Sequence, residues 1–289
     1  MTADWTIKSL LNWTESYFEN HGIDSPRLTA EILLSESLGM RRLDLYLQHD
    51  RPLEIHELVK FKPLIKRRVG REPVAYITGK KGFFEAVFKV VPGVLIPRPD
   101  TEVLVETAIS QLNELAQEER SARVIELGVG SGAVVVSVAK ACPGHSYFAS
   151  DISAAPLETA RENAVELADT RIRFFQGEWL DAVVPGAGFD LILSNPPYIP
   201  GADIDALAPE IRDYEPTLAL DGGADGLDAI RHIIRQAGSR LNSGGRLMLE
   251  MGFDQKEGVT AIAEGCDWVS DLQFIKDLAG HDRLAVLKK

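Results

Sequence analysis

The chain has 289 residues, 45% of them hydrophobic and 26% charged, proportions that exclude a disordered or fibrous polymer and suit one large α/β domain with an appendage, or two domains. Its formal net charge of −12 lies beyond the first 75 residues, where 11 acids and 11 bases balance, and in the remainder 32 acids face 20 bases. Such a domain gains no counterion-release affinity for nucleic acid, so DNA and RNA are not expected as direct partners.

In chain order, the first twenty residues hold acids and lack a basic stretch followed by an apolar core, so they do not read as a signal peptide. The glycine-rich apolar stretch 127–139 is too short to span a membrane, which needs about 18 residues or more. A cytoplasmic protein is the expectation. Cys142 and Cys266 are too few for a disulfide framework and read as packing residues. Apolar residues three and four apart predict helices over 6–20, 26–39 and 54–68, with Ser25 and Pro26 opening the second and Gly39 closing it. Lys60, Lys62, Lys66, Arg67, Arg68 and Arg71 form a run without acids; a solvated helix end fits it better than a docking patch. Residues 1–72 are therefore expected to be a helical domain. Over 73–99, β-rich runs broken by Gly79, Gly82 and three prolines predict a β-hairpin linker.

From residue 100 helix and strand alternate, the pattern of a parallel sheet covered on both faces. Strands are predicted over 123–127, 146–151, 172–177, 190–195, 245–251, 271–277 and 283–287. Intervening helices are predicted over 101–118, 132–141, 155–167, 227–241 and 255–264. The short link between the last two strands requires one of them to run antiparallel. This seven-stranded Rossmann-like domain spans 100–289.

The first of these strands, ending in Glu126 and Leu127, breaks into Gly128-Val129-Gly130-Ser131-Gly132. Glycines let a ligand approach the backbone closely, and the following helix offers unpaired N–H groups. The spacing also satisfies the permissive dinucleotide pattern, so it does not separate NAD from S-adenosylmethionine. Asp151 ends the next strand, where a carboxylate can accept from both hydroxyls of a ribose, or cap the following helix. Glu178 and Trp179 follow the third strand, placed to meet an adenine, although Trp179 suits the core equally well. The fourth strand runs into Asn195-Pro196-Pro197-Tyr198. Two prolines supply no N–H groups and leave the Asn195 side-chain oxygen and the Pro196 carbonyl as directed acceptors. Such a pair holds the two hydrogens of an NH2 on a planar carbon while its nitrogen faces a methyl donor, and the Tyr198 ring is expected to pack on that planar group.

With these motifs the sequence resembles the class I S-adenosylmethionine-dependent methyltransferases, and within them the HemK/PrmC protein-(glutamine-N5) methyltransferases. The NPPY tetrapeptide is shared with enzymes that methylate exocyclic amino groups of nucleic-acid bases, which is the alternative reading. Arg71 to Gly79, Val94 to Glu102, Tyr214 to Pro216, Ala219 to Leu227 and Asp277 to Arg283 narrow the resemblance to the glutamine methyltransferases. It implies methyl transfer from S-adenosyl-L-methionine, leaving S-adenosyl-L-homocysteine, to the glutamine of the Gly-Gly-Gln (GGQ) loop of class 1 peptide-chain release factors. It assigns cofactor binding to 128–132, Asp151 and Trp179, places Asn195 between cofactor and glutamine, and gives the substrate amide to Asn195, Pro196, Pro197 and Tyr198. Glu126 and Glu178 stand where that family often has aspartate, each keeping the carboxylate and adding a methylene. The helical domain is expected to help dock the release factor. Arg98 and Glu102 flank the entrance to the catalytic domain; an ordinary ion pair between turn and helix fits them at least as well as Arg98 facing the site, and neither joins the catalytic set.

Overall fold

The computed structural model describes residues 5–168 and 171–289. Contacts divide the chain into two units, one comprising everything up to Gly79 together with Ala208–Tyr214, the other Lys80–Leu207 and Glu215–Lys289.

The first unit is helical: α1 (Ile7–Asn20), α2 (Pro26–Leu38), α3 (Arg42–Leu47), α4 (Ile55–Val69) and α5 (Val74–Thr78). Thr6 and Ser9 form a reciprocal capping box that starts α1. Ser25 does not cap α2 through its side chain; its own φ is +48°, and Pro26 at the first helical position sets the start instead. Gly39 closes α2 in the left-handed conformation, where a side chain would be strained. Ile7, Leu11, Phe18, Leu33, Leu34 and Phe61 fill the core between α1, α2 and α4. Two features depart from the sequence reading. Helix α3 has only six residues, too short for a periodic signal. The run 73–79, read as part of the hairpin, is helical, because Pro73 pre-sets the backbone at its start, Gly79 ends it with φ +72°, and Ala75, Tyr76 and Ile77 become buried.

The second unit opens with the hairpin of β1 (Lys80–Phe83) and β2 (Ala86–Lys89), then α6 (Glu102–Gln117), β3 (Arg123–Leu127), α7 (Ala133–Ala141), β4 (Ser146–Asp151), α8 (Ala154–Leu167), β5 (Ile172–Gln176) and β6 (Phe189–Ser194). Short 3-10 turns follow, and α9 (Pro209–Arg212) falls with the helical unit. The chain then forms α10 (Asp228–Ala237), β7 (Leu241–Glu250), α11 (Lys256–Glu264), β8 (Asp271–Lys276) and β9 (Asp282–Lys288).

The sheet has seven strands in the order β5-β4-β3-β6-β7-β9-β8, and β9 is antiparallel to both of its neighbours. Strand β6 is buried at all six positions, as a central strand covered on both faces must be. Val124, Leu191 and Leu193 face one apolar layer with α6 and α7, while Ile125, Leu127 and Ile192 face the other with α10 and α11. The strand order reverses between β3 and β6, so the crevice beyond their carboxyl ends is the point where open α/β sheets accept ligands.

Candidate active site

A cavity of about 430 Å3 opens at that point. Its wall contains Glu126, Gly128, Val129, Gly130, Ser131, Asp151, Glu178, Trp179, Asn195 and Pro197. Gly132, Pro196 and Tyr198 do not line it.

The turn after β3 carries φ values of +69° at Gly128, +53° at Gly130 and +81° at Gly132, which only glycine adopts without strain. At Gly132 a Cβ would also meet the Ala160 Cβ at 3.1 Å, so this glycine lets α7 pack against α8. At Gly128 a Cβ would stand 3.4 Å from the Trp179 ring, so the bare backbone leaves the indole beside the loop. Trp179 itself has φ +43° and is half-buried.

Two acids organise the loop. Asp151, at the end of β4, accepts from the Gly130 N–H at 3.1 Å with one oxygen and from the Ser153 N–H at 2.9 Å with the other. Burial nevertheless pushes its pKa up. Glu126, buried at the end of β3, accepts from the Val135 N–H in the first turn of α7 at 2.8 Å. Its pKa is well above the usual carboxylate range because it is desolvated, with Asp151 adding repulsion. Glu178 is exposed at the rim.

On the β6 side, the Asn195 Nδ2 donates to the Thr101 Oγ1 at 3.0 Å, which leaves Oδ1 as the acceptor end of its amide. The Tyr198 hydroxyl donates to Glu250 at 3.1 Å and its carbonyl accepts from Gln255 at 2.8 Å. Desolvation, then the nearby carboxylate, raises the Tyr198 pKa. The next residue, Ile199, exchanges backbone hydrogen bonds with Leu220 and Gly222, fixing the path of the returning segment. Arg98 also stands in the wall, and its ion-pair partner is Glu215 rather than Glu102; Glu215 in addition accepts from the Ile96 N–H at 3.1 Å. Glu102 instead accepts from the Phe84 N–H at 2.9 Å.

The sequence reading did not single out Thr101, Glu250, Glu215 or His232 as site residues. Glu250 carries a signal that was available: like Glu126 and Asp151, it is an acid at the carboxyl end of an apolar strand. Taken together, the wall holds five acids, the buried Glu126 and Asp151 with Glu178, Asp221 and Asp228, against Arg98 as its one arginine. Such a wall favours a cationic ligand and disfavours a pyrophosphate.

Fold and cavity together define a class I methyltransferase domain. A family model described as the methyltransferase small domain matches residues 101–211, and one described as the PrmC N-terminal domain matches residues 9–79. The fold is shared with the T. thermophilus 16S rRNA N2 G1207 methyltransferase, at a TM-score of 0.51 and 20% identity over 73% of this chain and 49% of that one. Among curated proteins, the chain is 44% identical to the release factor glutamine methyltransferase of Geobacter sulfurreducens, covering 89% of this chain and 88% of the relative. It is 38% identical to that of Rhodopirellula baltica, over 99% of this chain and 97% of the relative. The chain belongs to the release factor glutamine methyltransferase family.

Proposed function

We propose that this protein transfers the methyl group of S-adenosyl-L-methionine to the side-chain amide nitrogen of the glutamine in the GGQ loop of class 1 peptide-chain release factors. The observation that carries this reading is Asn195, in the cavity wall at the end of β6, with its amide nitrogen engaged by Thr101 and its carbonyl end left to accept from a substrate NH2.

The residues present fit the cofactor. The space a Cβ would take at Gly128 lies beside the Trp179 ring, a slot for a flat base or ribose. The acidic wall suits a ligand that carries a sulfonium and an ammonium. Glu126, 128–131, Asp151, Glu178, Trp179 and Asn195 would hold it, with Gly132 behind the wall turning the loop into α7, and when bound it supplies an activated methyl group on sulfur.

The amide nitrogen of glutamine is a weak nucleophile because its lone pair is delocalised. Asn195 Oδ1 and the Pro196 carbonyl accept its two hydrogens, turn the nitrogen toward the donor and stabilise the positive charge that develops there. Pro197 and Tyr198 hold these acceptors in place. Residues 1–72 dock the release factor, 73–99 link, and 100–289 carry the chemistry. The reaction belongs in the cytoplasm, where release factors act; among the described residues no helix is long and apolar enough to cross a membrane.

Peptide mass spectrometry of an unmodified release factor incubated with the protein and S-adenosyl-L-methionine tests this reading. Methyl on the GGQ glutamine is expected; methyl on nucleic acid in preference to it would replace the reading with the base-methylating alternative. Asn195→Ala is expected to lower turnover by about 100-fold or more while the cofactor still binds. Near-normal single-turnover rates would remove Asn195 from its role.

A further inference from the structure

Two backbone segments of the catalytic crevice meet on one side chain. Past the NPPY turn, Ile199 forms a parallel bridge with Asp221, its N–H donating to the Leu220 carbonyl at 3.0 Å and its carbonyl accepting from the Gly222 N–H at 2.8 Å. The backbones run so close that a Cβ at Gly226, whose φ is +74°, would stand 2.4 Å from the Tyr198 carbonyl oxygen. The Tyr198 and Gly226 carbonyls converge on the Gln255 Nε2, at 2.8 and 3.1 Å. Gln255 is 8% exposed, in the turn between β7 and α11, and its Oε1 accepts from the Gly252 N–H at 2.9 Å. That bond settles which way round the amide sits, oxygen toward Gly252 and nitrogen toward the two carbonyls. An NH2 has two hydrogens, so each carbonyl receives one. Among the described residues nothing else donates to either of them.

We propose that Gln255 is a positioning residue for methyl transfer: its NH2 ties the Tyr198 carbonyl of the NPPY turn to the Gly226 carbonyl, and so sets the spacing between the Asn195 and Pro196 acceptors and the part of the cavity wall built by the 216–221 segment. Pro216, Leu218, Ala219 and Asp221 line the same cavity as Asn195, so a shift of one segment against the other changes the space in which a substrate amide is held. Without the NH2, two carbonyl oxygens would be left close together in a largely buried place with no donor between them, and the segments would move apart to reach water or each other's N–H groups. Movement of that kind is costly for the chemistry, since a misplacement of about 1 Å from the attack geometry is enough to slow a reaction by about 100-fold.

This inference rests on the proposed function for its kinetic consequence and on geometry alone for its structural one. Gln255→Met keeps the reach of the side chain and donates nothing; Gln255→Glu keeps its shape and, ionised, sets a further acceptor against the two carbonyls. Both variants are assayed well below their melting temperatures for kcat, KM for the release factor and equilibrium cofactor binding. Gln255→Met should lower kcat by about 10-fold to 100-fold, and Gln255→Glu by more, with KM and cofactor affinity within about threefold of the unmodified protein. A glutamine that merely fills space would tolerate methionine, so a near-normal kcat in Gln255→Met overturns the inference. Cofactor affinity that falls in step with kcat overturns it too, because Gln255 bonds neither the glycine loop nor Asp151. The second readout needs no variant and no turnover: the side-chain NH2 hydrogens of Gln255, assigned by NMR in the unmodified protein, should exchange with solvent about tenfold or more slowly than those of the exposed Gln48. Equal exchange at the two glutamines overturns the inference whatever the activity. Absence of glutamine methylation by the unmodified protein with the Gln255 NH2 protected would instead remove the proposed substrate and leave the tie between the two segments standing.

Discussion

Glu250, at the end of β7 beside Tyr198, is a buried acid whose ionisation reaches into the working range of pH. It is fully buried, its Oε2 has no hydrogen-bond partner among the described residues, and burial pushes its pKa up to about 7. The Tyr198 and Thr101 hydroxyls and the Arg283 guanidinium oppose that rise, while Asp100 adds to it. A carboxyl that releases its proton near pH 4.5 when unfolded and near pH 7 when folded makes folding less favourable as pH climbs. Below the lower value both states are protonated and nothing is lost; between the two the unfolded chain alone ionises, and above the upper one the loss levels off at roughly 3 kcal/mol. Glu250→Gln copies the neutral acid. Its melting temperature should match that of the unmodified protein near pH 4.5 and exceed it by a margin that widens up to about pH 8. Thermal melts of both proteins across that range check this, because all other titrations cancel in the difference. A gap independent of pH would mean that Glu250 is not the titrating group.

Helix α4 shows what an element can conceal from its sequence. Lys66, Arg67 and Arg68 lie in its last turn, where cations suit the exposed carbonyls, as the sequence suggested. All three guanidinium groups of that run are paired, Arg67 with Glu72 and both Arg68 and Arg71 with Glu210, an acid roughly 140 residues away that no local reading could supply. Pro63 sits inside the helix and removes the N–H that would bond the Val59 carbonyl. Because Pro63 is exposed and no core packing depends on it, Pro63→Ala should stabilise the protein, by up to about 3 kcal/mol. A urea titration with an unchanged slope and a higher midpoint would bear this out, and an unchanged or lower midpoint would refute it. The contrast between legible and hidden features follows the same physics throughout. The strands β3 to β6 and their helices could be read because period and turn residues are local properties, and the glycine loop because its conformations admit little else. Segment 73–79 could not, since β-branched residues there yield to Pro73, Gly79 and burial. Thr101 escaped because a hydrogen bond between residues 94 apart leaves no mark on spacing, whereas its partner Asn195 announced itself through its two prolines.

At the scale of the whole molecule, charge selects ligands before any specific contact is made. The net charge of −12 and the five acids facing one arginine in the cavity wall act in the same direction, repelling phosphates and attracting cations. This separates ligands that the glycine loop alone does not. A dinucleotide would bring its pyrophosphate into a wall that holds Asp151, Glu178, Asp221 and Asp228, with only Arg98 to offset them, whereas S-adenosyl-L-methionine brings a sulfonium and an ammonium for one carboxylate. Nucleic acid meets the same obstacle on a larger surface, since binding to phosphates draws its strength from lysines and arginines that displace counterions. Trp179, half-buried beside Gly128, provides an internal probe. Titration with S-adenosyl-L-methionine should change its fluorescence in a saturable way that Trp179→Phe abolishes, while NAD should produce no saturable change. A labelled single-stranded RNA should show no anisotropy rise below about 100 µM at physiological salt, the weak end of the range for non-specific binders. Saturable NAD binding would mean that the acidic wall does not discriminate, and RNA binding that steepens as salt is lowered would show that bases elsewhere on the surface outweigh the net charge.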